Sequence, residues 1–354
     1  MIDKKYITGI QQIGVGVEDV DTAFKWYNQN FGMDVVAFRE RAVAQLMLPY
    51  TDGEKRERYA MLALNMQGGG GFEIWQHTGK KPQPWTNAPK LGDLGIFIVK
   101  MKTSQIDLAY SDFQKKKITI LSEILISPSG QKHFFVEDPY GNIFQFIDQR
   151  EVFYKTEMFN GGVAGAILGV SDMDKALKVY QDILEYDQIV YDEIGVFADF
   201  APLKGSEQKV RRVLLKHSEP RTGSFAPMLG PTSIELIQLI DQKGTPIFQG
   251  RMWGDPGFIH LCFDVIGIDP LRKEVSSKGF PFTVDSAESF DMGEAAGHFA
   301  YISDIDNTPI EFVETHRLPI IKKLGWNMNL KGRSPKKSLP IWMIKTLRWK
   351  REKV

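Results

Sequence analysis

Three ionisable residues stand inside runs of apolar, strand-forming residues. Glu73 lies in FEIW, His260 in FIHLCF and Glu311 in PIEFVE. Successive side chains of an extended chain point to opposite faces. Glu73 therefore opposes Phe72 and Ile74, His260 opposes Ile259 and Leu261, and Glu311 opposes Ile310 and Phe312. All three project away from the apolar face, and Gln12, in IQQIGVGV, joins them. A carboxylate desolvated without a partner is costly, and a bound cation is the usual remedy. Any one of these residues taken alone reads as a polar group on an open, wet sheet face. Four together point to a shared site.

The elements that must hold them come from a duplication. IQQIGVGVEDVDTAFKWYNQNFGMDVV, from Ile10, is written again from Val163 as VAGAILGVSDMDKALKVYQDILEYDQI. Each copy reads as a strand, an Asp-containing turn and a helix. Two further segments, GDLGIFIVKMKTSQIDLAYSDFQKKKITI and FIHLCFDVIGIDPLRKEVSSKGFPFTV, open in the same order. Both end alike, in HFFVEDPYGNIFQFID and HFAYISDIDNTPIEFVE, each read as a strand, a turn and a strand. The fold class is α+β: four βαβββ units, paired so that their sheets curl into cups. The expected domains are 1–150 and 151–320, two units each, followed by a tail over 321–354. The linker falls at 149–160. Segments 79–87 and 219–231 read as surface loops, with a rim or lid role as the sharper alternative. Tyr27 and Tyr180 recur within the helices and read as core. His133 and His298 stand at matching places, which favours a shared structural role. His77 reads as an exposed strand-end histidine ahead of a base near the site. His217 and His316 have no constellation around them.

This arrangement, with IQQIGVGVEDVDTAFKWY opening the first unit and DPYGNIFQFID closing the second, resembles the vicinal oxygen chelate superfamily over roughly residues 8–315. That superfamily includes glyoxalase I, extradiol dioxygenases, epimerases and antibiotic-resistance proteins, so the likeness speaks to fold more than to reaction. It implies metal ligands on the first and last strands of the units. By the repeat these positions are Gln12 and Glu73, Gly95 (or Asp93 beside it) and Gln145, Gly165 and Glu235, and His260 and Glu311. Pairing neighbouring units gives two incomplete sets. Pairing unit one with four and two with three gives Gln12, Glu73, His260 and Glu311 in one cup, and a decayed set in the other. The complete set is similar to that of human-type glyoxalase I, and two-domain members of that family pair their units in this crossed way.

The resemblance implies one divalent ion, zinc ahead of nickel, cobalt, manganese or iron. Three oxygens and an imidazole leave two octahedral positions for water or a chelating substrate. It implies Glu311 as the catalytic base and Glu73 as the second acid/base, moving a proton between adjacent carbons of a small 2-oxoaldehyde adduct. The positions that grip glutathione carry Gly16, His77 and Pro256 instead, which points away from glutathione. A dioxygenase of the extradiol or hydroxyphenylpyruvate type is the enzyme alternative, although Gly165 stands where it needs a histidine. A metal-free binding protein of the bleomycin-resistance type is the non-enzyme alternative.

Composition sets the frame: 354 residues, 43% hydrophobic and 25% charged, as in an ordinary globular protein. Cys262 is the one cysteine, which excludes a disulfide framework. The N-terminus has no apolar core of a signal peptide, and a cytoplasmic address is expected. Net charge is zero, yet from Lys322 onward eleven Lys/Arg face one acid, Glu352, so that the tail is +10 and the rest −10. An acidic body argues against nucleic acid as a partner, leaving a small-molecule substrate. In LPIWMIKTLRWKREK, Trp342 and Trp349 interleave with Lys345, Arg348, Lys350 and Arg351. A tail docked on the parent protein is expected first, and a weak contact with an anionic membrane surface second.

Overall fold

The computed structural model describes residues 3–287, 290–291, 296–321 and 326–354. Lys322 and Lys323, the first cations of the tail, lie outside them. Unit one comprises β1 (Tyr6–Gly16), α1 (Val20–Phe31), β2 (Val35–Ala44), β3 (Arg56–Leu64) and β4 (Gly71–His77). Unit two comprises β5 (Gly95–Thr103), α2 (Ile106–Lys115), β6 (Thr119–Ile120), β7 (Leu125–Ile126), β8 (Lys132–Glu137) and β9 (Ile143–Asp148). Unit three comprises β10 (Asn160–Gly169), α3 (Met173–Tyr180), β11 (Gln188–Gly195), β12 (Val210–Lys216), α4 (Ala226–Leu229) and β13 (Ser233–Leu239). Unit four comprises β14 (Gly257–Ile266), α5 (Ile268–Ser277), β15 (Val284–Asp285), β16 (Phe290–Asp291), β17 (Ala296–Ser303) and β18 (Pro309–Ile321). Then follow β19 (Trp326–Asn329) and α6 (Ile341–Ile344).

The Asp of each repeated turn is a helix cap. Asp19 accepts from Thr22 N at 2.8 Å and Asp172 from Lys175 N at 3.1 Å. Gly32, with φ 71°, ends α1 in the left-handed region that glycine enters without strain.

The sheets do not follow the two halves of the chain. One runs β15-β17-β18-β14-β1-β4-β3-β2 and the other β11-β12-β13-β10-β5-β9-β8-β6. Units one and four are joined by β1 antiparallel to β14, and units two and three by β5 antiparallel to β10. Behind the sheets, units of the same half tie one sheet to the other. Tyr27, in unit one, donates to Asp138 of unit two at 2.5 Å, and Tyr180 of unit three donates to Asp304 of unit four at 2.8 Å. Phe31 of α1 packs edge-on against Phe144 and Phe146 of β9. The recurring tyrosines are thus core residues whose hydroxyls need a buried acceptor.

The inserted segments pack rather than wave. In 79–87, Gln83 N donates to Asp255 at 2.8 Å, and the guanidinium of Arg251 lies 5.6 Å from the Trp85 ring. The 219–231 segment contains α4, and its Arg221 donates to Ile7 O of β1 at 2.7 Å. The tail follows the surface of unit one. Arg351 pairs with Asp34 at 2.6 Å, and Glu352 N donates to Asp34 O at 2.8 Å. Leu339 and Ile344 are buried, but Trp342 and Trp349 are 61% and 65% exposed. The tail docks as expected, on its leucine and isoleucine rather than its tryptophans.

Candidate metal centre

Gln12, Glu73, His260 and Glu311 meet in the cup of units one and four. The registers that bring them together pair Gly14 with both Glu73 and His260, and Cys262 with both Gln12 and Glu311. Ligand-capable atoms of Glu73, His260 and Glu311 all lie within 4.8 Å of one another. His260 Nε2 is 3.3 Å from a carboxylate oxygen of each glutamate. Gln12 Nε2 lies 3.5 Å from Glu73 and 3.4 Å from Glu311. His260, Gln12 and Glu311 are buried, at 0%, 4% and 7% exposed, and Glu73 is partly exposed.

Several polar atoms here are buried without a hydrogen-bond partner, namely both ring nitrogens of His260 and Oε1 of Gln12. Such groups are rare in folded proteins and ask for an explanation. A divalent cation between the side chains provides one. It would take an imidazole nitrogen and a carboxylate oxygen from each glutamate, and a half-turn of the Gln12 amide would supply a further oxygen. The donor set therefore fits a metal ion.

The electrostatics point the same way. Burial pushes the Glu311 carboxyl above its ordinary range, against the pull of His260. Burial also works against the Glu73 charge, but the imidazole beside it holds that carboxyl below its usual value. Burial opposes the imidazolium too, and the two carboxylates outweigh it and raise His260. Around this centre stand Trp75, Trp253, Tyr301 and Ile259 in one apolar cluster with Phe38, Tyr50, Phe248 and Phe299. Trp253 lies parallel to the His260 ring at 6.1 Å, and Tyr301 meets it edge-on at 5.7 Å. Tyr50 of unit one straps across to unit four, its hydroxyl 2.6 Å from Thr283 and 2.9 Å from Ser303.

Strict alternation fails beside His260. Gly14 pairs with His260 and Val15 with Phe258, leaving Ile259 as the extra residue of a bulge. Ile259 consequently packs with Trp75 and Tyr301 in the cup instead of opposing His260. His77 is a second correction. It is buried rather than exposed, with Nε2 3.1 Å from Trp253 O and its ring 4.6 Å from Trp75, and burial lowers its pKa.

In the other cup the register corrects the positions expected from the repeat. Lys100 pairs with Gln145 as Cys262 pairs with Glu311, so Ile98, and not Gly95, is the counterpart of His260. Asp93 does not substitute, because its carboxylate accepts from Lys90 N and Thr245 N. Gly165 does correspond to Gln12, and a Cβ there would lie 1.9 Å from Ser233 O, so no ligand side chain fits. Glu235 keeps its place but is claimed by cations. Lys100 Nζ lies 2.6 Å away, Arg212 donates through Nε, and Tyr191 donates at 2.6 Å. Arg212 also holds Asp199 at 2.7 Å. Lys100 and Arg212 escaped notice in the sequence, although a cation inside FIVKMK or VRRVLL was a visible signal.

His133 and His298 prove not to be equivalent. His133 pairs with Ile147 and Phe299 with Val313, so the two histidines are one residue out of step and face opposite ways. His133 lies in the second cup, 3.8 Å from Asp199, whereas His298 contacts Asp285 at 2.6 Å. His217 stacks on Tyr186 with ring centroids 3.9 Å apart, and His316 lies 3.4 Å from Glu314.

Comparison with known proteins agrees with this geometry. Two profiles described as the Glyoxalase/Bleomycin resistance protein/Dioxygenase superfamily match residues 9–146 and 166–301. Glyoxalase I from Zea mays superposes with a TM-score of 0.55 at 12% identity, covering 88% of this chain and 92% of that one. A candidate dioxygenase from Bacillus subtilis gives 0.53 at 15% identity, covering 87% and 86%. At such identities the likeness is one of fold. No curated protein sequence matches the chain. Two profile matches, four βαβββ units and crossed sheets together place the chain in the glyoxalase/bleomycin resistance protein/dioxygenase superfamily.

Proposed function

We propose that the chain is a metal-dependent lyase/isomerase of the glyoxalase I kind, acting in the cytoplasm on a small 2-oxoaldehyde adduct. The observation that carries this reading is the convergence of Gln12, Glu73, His260 and Glu311, from opposite ends of the sequence, in one sheltered cup. These four residues would hold one divalent ion, zinc first among the candidates. When bound, that ion supplies charge stabilisation to an oxyanion beside the carbon that loses its proton. Glu311 is the base that takes this proton and Glu73 returns one to the neighbouring carbon; each carboxylate has an oxygen 3.3 Å from His260 Nε2. The tryptophan and tyrosine walls exclude water while the proton is in transit.

Two features support an adduct other than that of glutathione. At Gly16 a Cβ would lie 2.0 Å from Asp255 O, so an anion-gripping arginine has no room. His77, at the second grip position, is turned to Trp253 O. The position at which a dioxygenase would need a further histidine is Gly165, and it lies in the other cup from His260 and Glu311. The test is metal content of purified wild type beside Gln12→Ala and Glu311→Gln, followed by isomerisation of hemithioacetals made with several thiols. One metal per chain, reduced in both variants, with proton exchange at the substrate carbon, is the expected result. Full metal occupancy in both variants, or oxygen uptake on catechols without isomerase activity, would sink the reading.

A further inference from the structure

The tail carries a surface that the candidate centre does not use. Residues 341–350 form one helical run, α6 followed by a tighter turn over Lys345–Lys350. Its inner side is fixed: Ile344 is buried with Leu339, and Leu347 packs against the same cluster. Leu339 N donates to Ser224 O at 3.0 Å, and beyond the run Asn28 donates to Glu352 O at 2.8 Å. The outer side is therefore held in place. It presents Ile341, Trp342 and Trp349, which are 53%, 61% and 65% exposed. Ile341 and Trp342 precede Arg348 and Trp349 by seven positions, so the two pairs fall on nearly the same side of the run.

The same segment carries exposed cations. Lys336, Lys337, Arg348 and Lys353 are exposed, and among the described residues none of them meets a carboxylate. Lys345 and Arg348 lie 5.8 and 5.5 Å from the Tyr154 ring, which props them at the rim. The acid of the segment, Glu352, is occupied by Arg39 at 2.9 Å. Indole rings standing in water beside unpaired cations match the two layers of a lipid interface, anionic headgroups over the start of the acyl chains. Among the described residues no helix is long and apolar enough to cross a membrane.

We infer that the face formed by Ile341, Trp342, Lys345, Arg348 and Trp349, flanked by Lys336 and Lys337, docks the protein reversibly on an anionic phospholipid bilayer. The tryptophans enter the headgroup region and the cations neutralise lipid charge. This inference does not depend on the reaction carried out in the cup.

The test is sedimentation of the full chain with phosphatidylcholine vesicles, with and without phosphatidylglycerol, at low and physiological salt. Binding to the anionic vesicles that weakens with salt is expected, with little binding to phosphatidylcholine alone. Each cation reversed in Lys336→Glu, Lys337→Glu and Arg348→Glu should lower partitioning by about fivefold or more. Trp342→Ala with Trp349→Ala should lower it by about tenfold or more without altering the melting temperature, because neither ring is packed. No binding to anionic vesicles at low salt overturns the inference. So does binding that survives both sets of substitutions, or binding to single-stranded oligonucleotides but not to vesicles.

Discussion

Replacing Arg212 by Met tests how the second cup is held together. Arg212 is wholly buried and bonds Glu235 and Asp199, while its guanidinium carbon lies 3.7 Å from the centre of the Phe200 ring. With Lys100 the four charges cancel. Met fills much of the same volume but leaves two carboxylates facing one ammonium where water is excluded. Removing one partner of a buried ionic cluster costs about 3–5 kcal/mol. The lost contact with Phe200 adds about 1–2 kcal/mol, part of which the thioether recovers. A net loss of about 3–5 kcal/mol is expected in equilibrium urea unfolding at pH 7. Asp199→Asn added to Arg212→Met restores neutrality and should regain at least half of it. The pH dependence has a defined sign. Burial alone would raise Glu235, but Arg212 and Lys100 hold it well below its ordinary 4.5. Its ionisation thus stabilises the fold above about 4.5, and that contribution fades as pH falls through the lower folded value. The gap between wild type and variant should be full at pH 7 and should narrow in acid. A loss under about 1 kcal/mol, the size expected of a surface pair, would refute the account. A gap that widens in acid would do so as well.

Gln12→Glu would set a third carboxylate against Glu73 and Glu311; melting in chelator should show a loss of about 1–3 kcal/mol, with more than that regained on adding a divalent ion. Asp264 is buried in β14 and pushed up to about 7 by burial, with Glu314 adding to it. Stability should therefore fall as pH rises from about 4 to about 7, and Asp264→Asn should abolish that slope and stabilise the fold at pH 8 by up to about 4 kcal/mol. His217 is lowered to about 4, first by burial and then by Arg221. Its contribution is present above its ordinary 6.5 and is lost as pH falls to about 4, so His217→Phe should flatten unfolding curves over that window. Tyr50→Phe removes the strap to Thr283 and Ser303, and stopped-flow chelation should show faster metal release with little change in metal content.

Much of this was legible because duplication makes a sequence its own alignment. The crossed pairing could be read from which residues are chemically useful together, Gln12 with His260 rather than with Gly95. What the sequence concealed was register. A one-residue step separates His133 from His298 in sheet position, although HFFVED and HFAYISD look matched by eye. A three-residue step separates Gly95 from Ile98, because the strand begins at a glycine while the ligand position lies inside it. The bulge at Ile259 had no sign in FIHLCF, since it answers to the partner strand β1. His77 looked like an ordinary strand end. Its burial depends on Trp253, nearly half the chain away.

The two cups answer one electrostatic problem in different ways. Each retains a glutamate on the last strand of its odd-numbered unit, Glu73, partly buried, in one and Glu235, fully buried, in the other. A carboxylate in that position needs a positive charge within a few ångströms. In the second cup Lys100, Arg212 and Asp199 bring the sum to zero using side chains alone. In the first, two glutamates face one imidazole and one neutral amide, and the guanidinium that acts on Glu73, on Arg58, is engaged by Glu40 at 2.7 Å. Even with His260 protonated the sum there is −1, and with His260 neutral, as a metal ligand must be, it is −2. A deficit of two, over oxygen and imidazole donors, favours a divalent over a monovalent ion. By the same count the second cup has no charge left for an ion to balance.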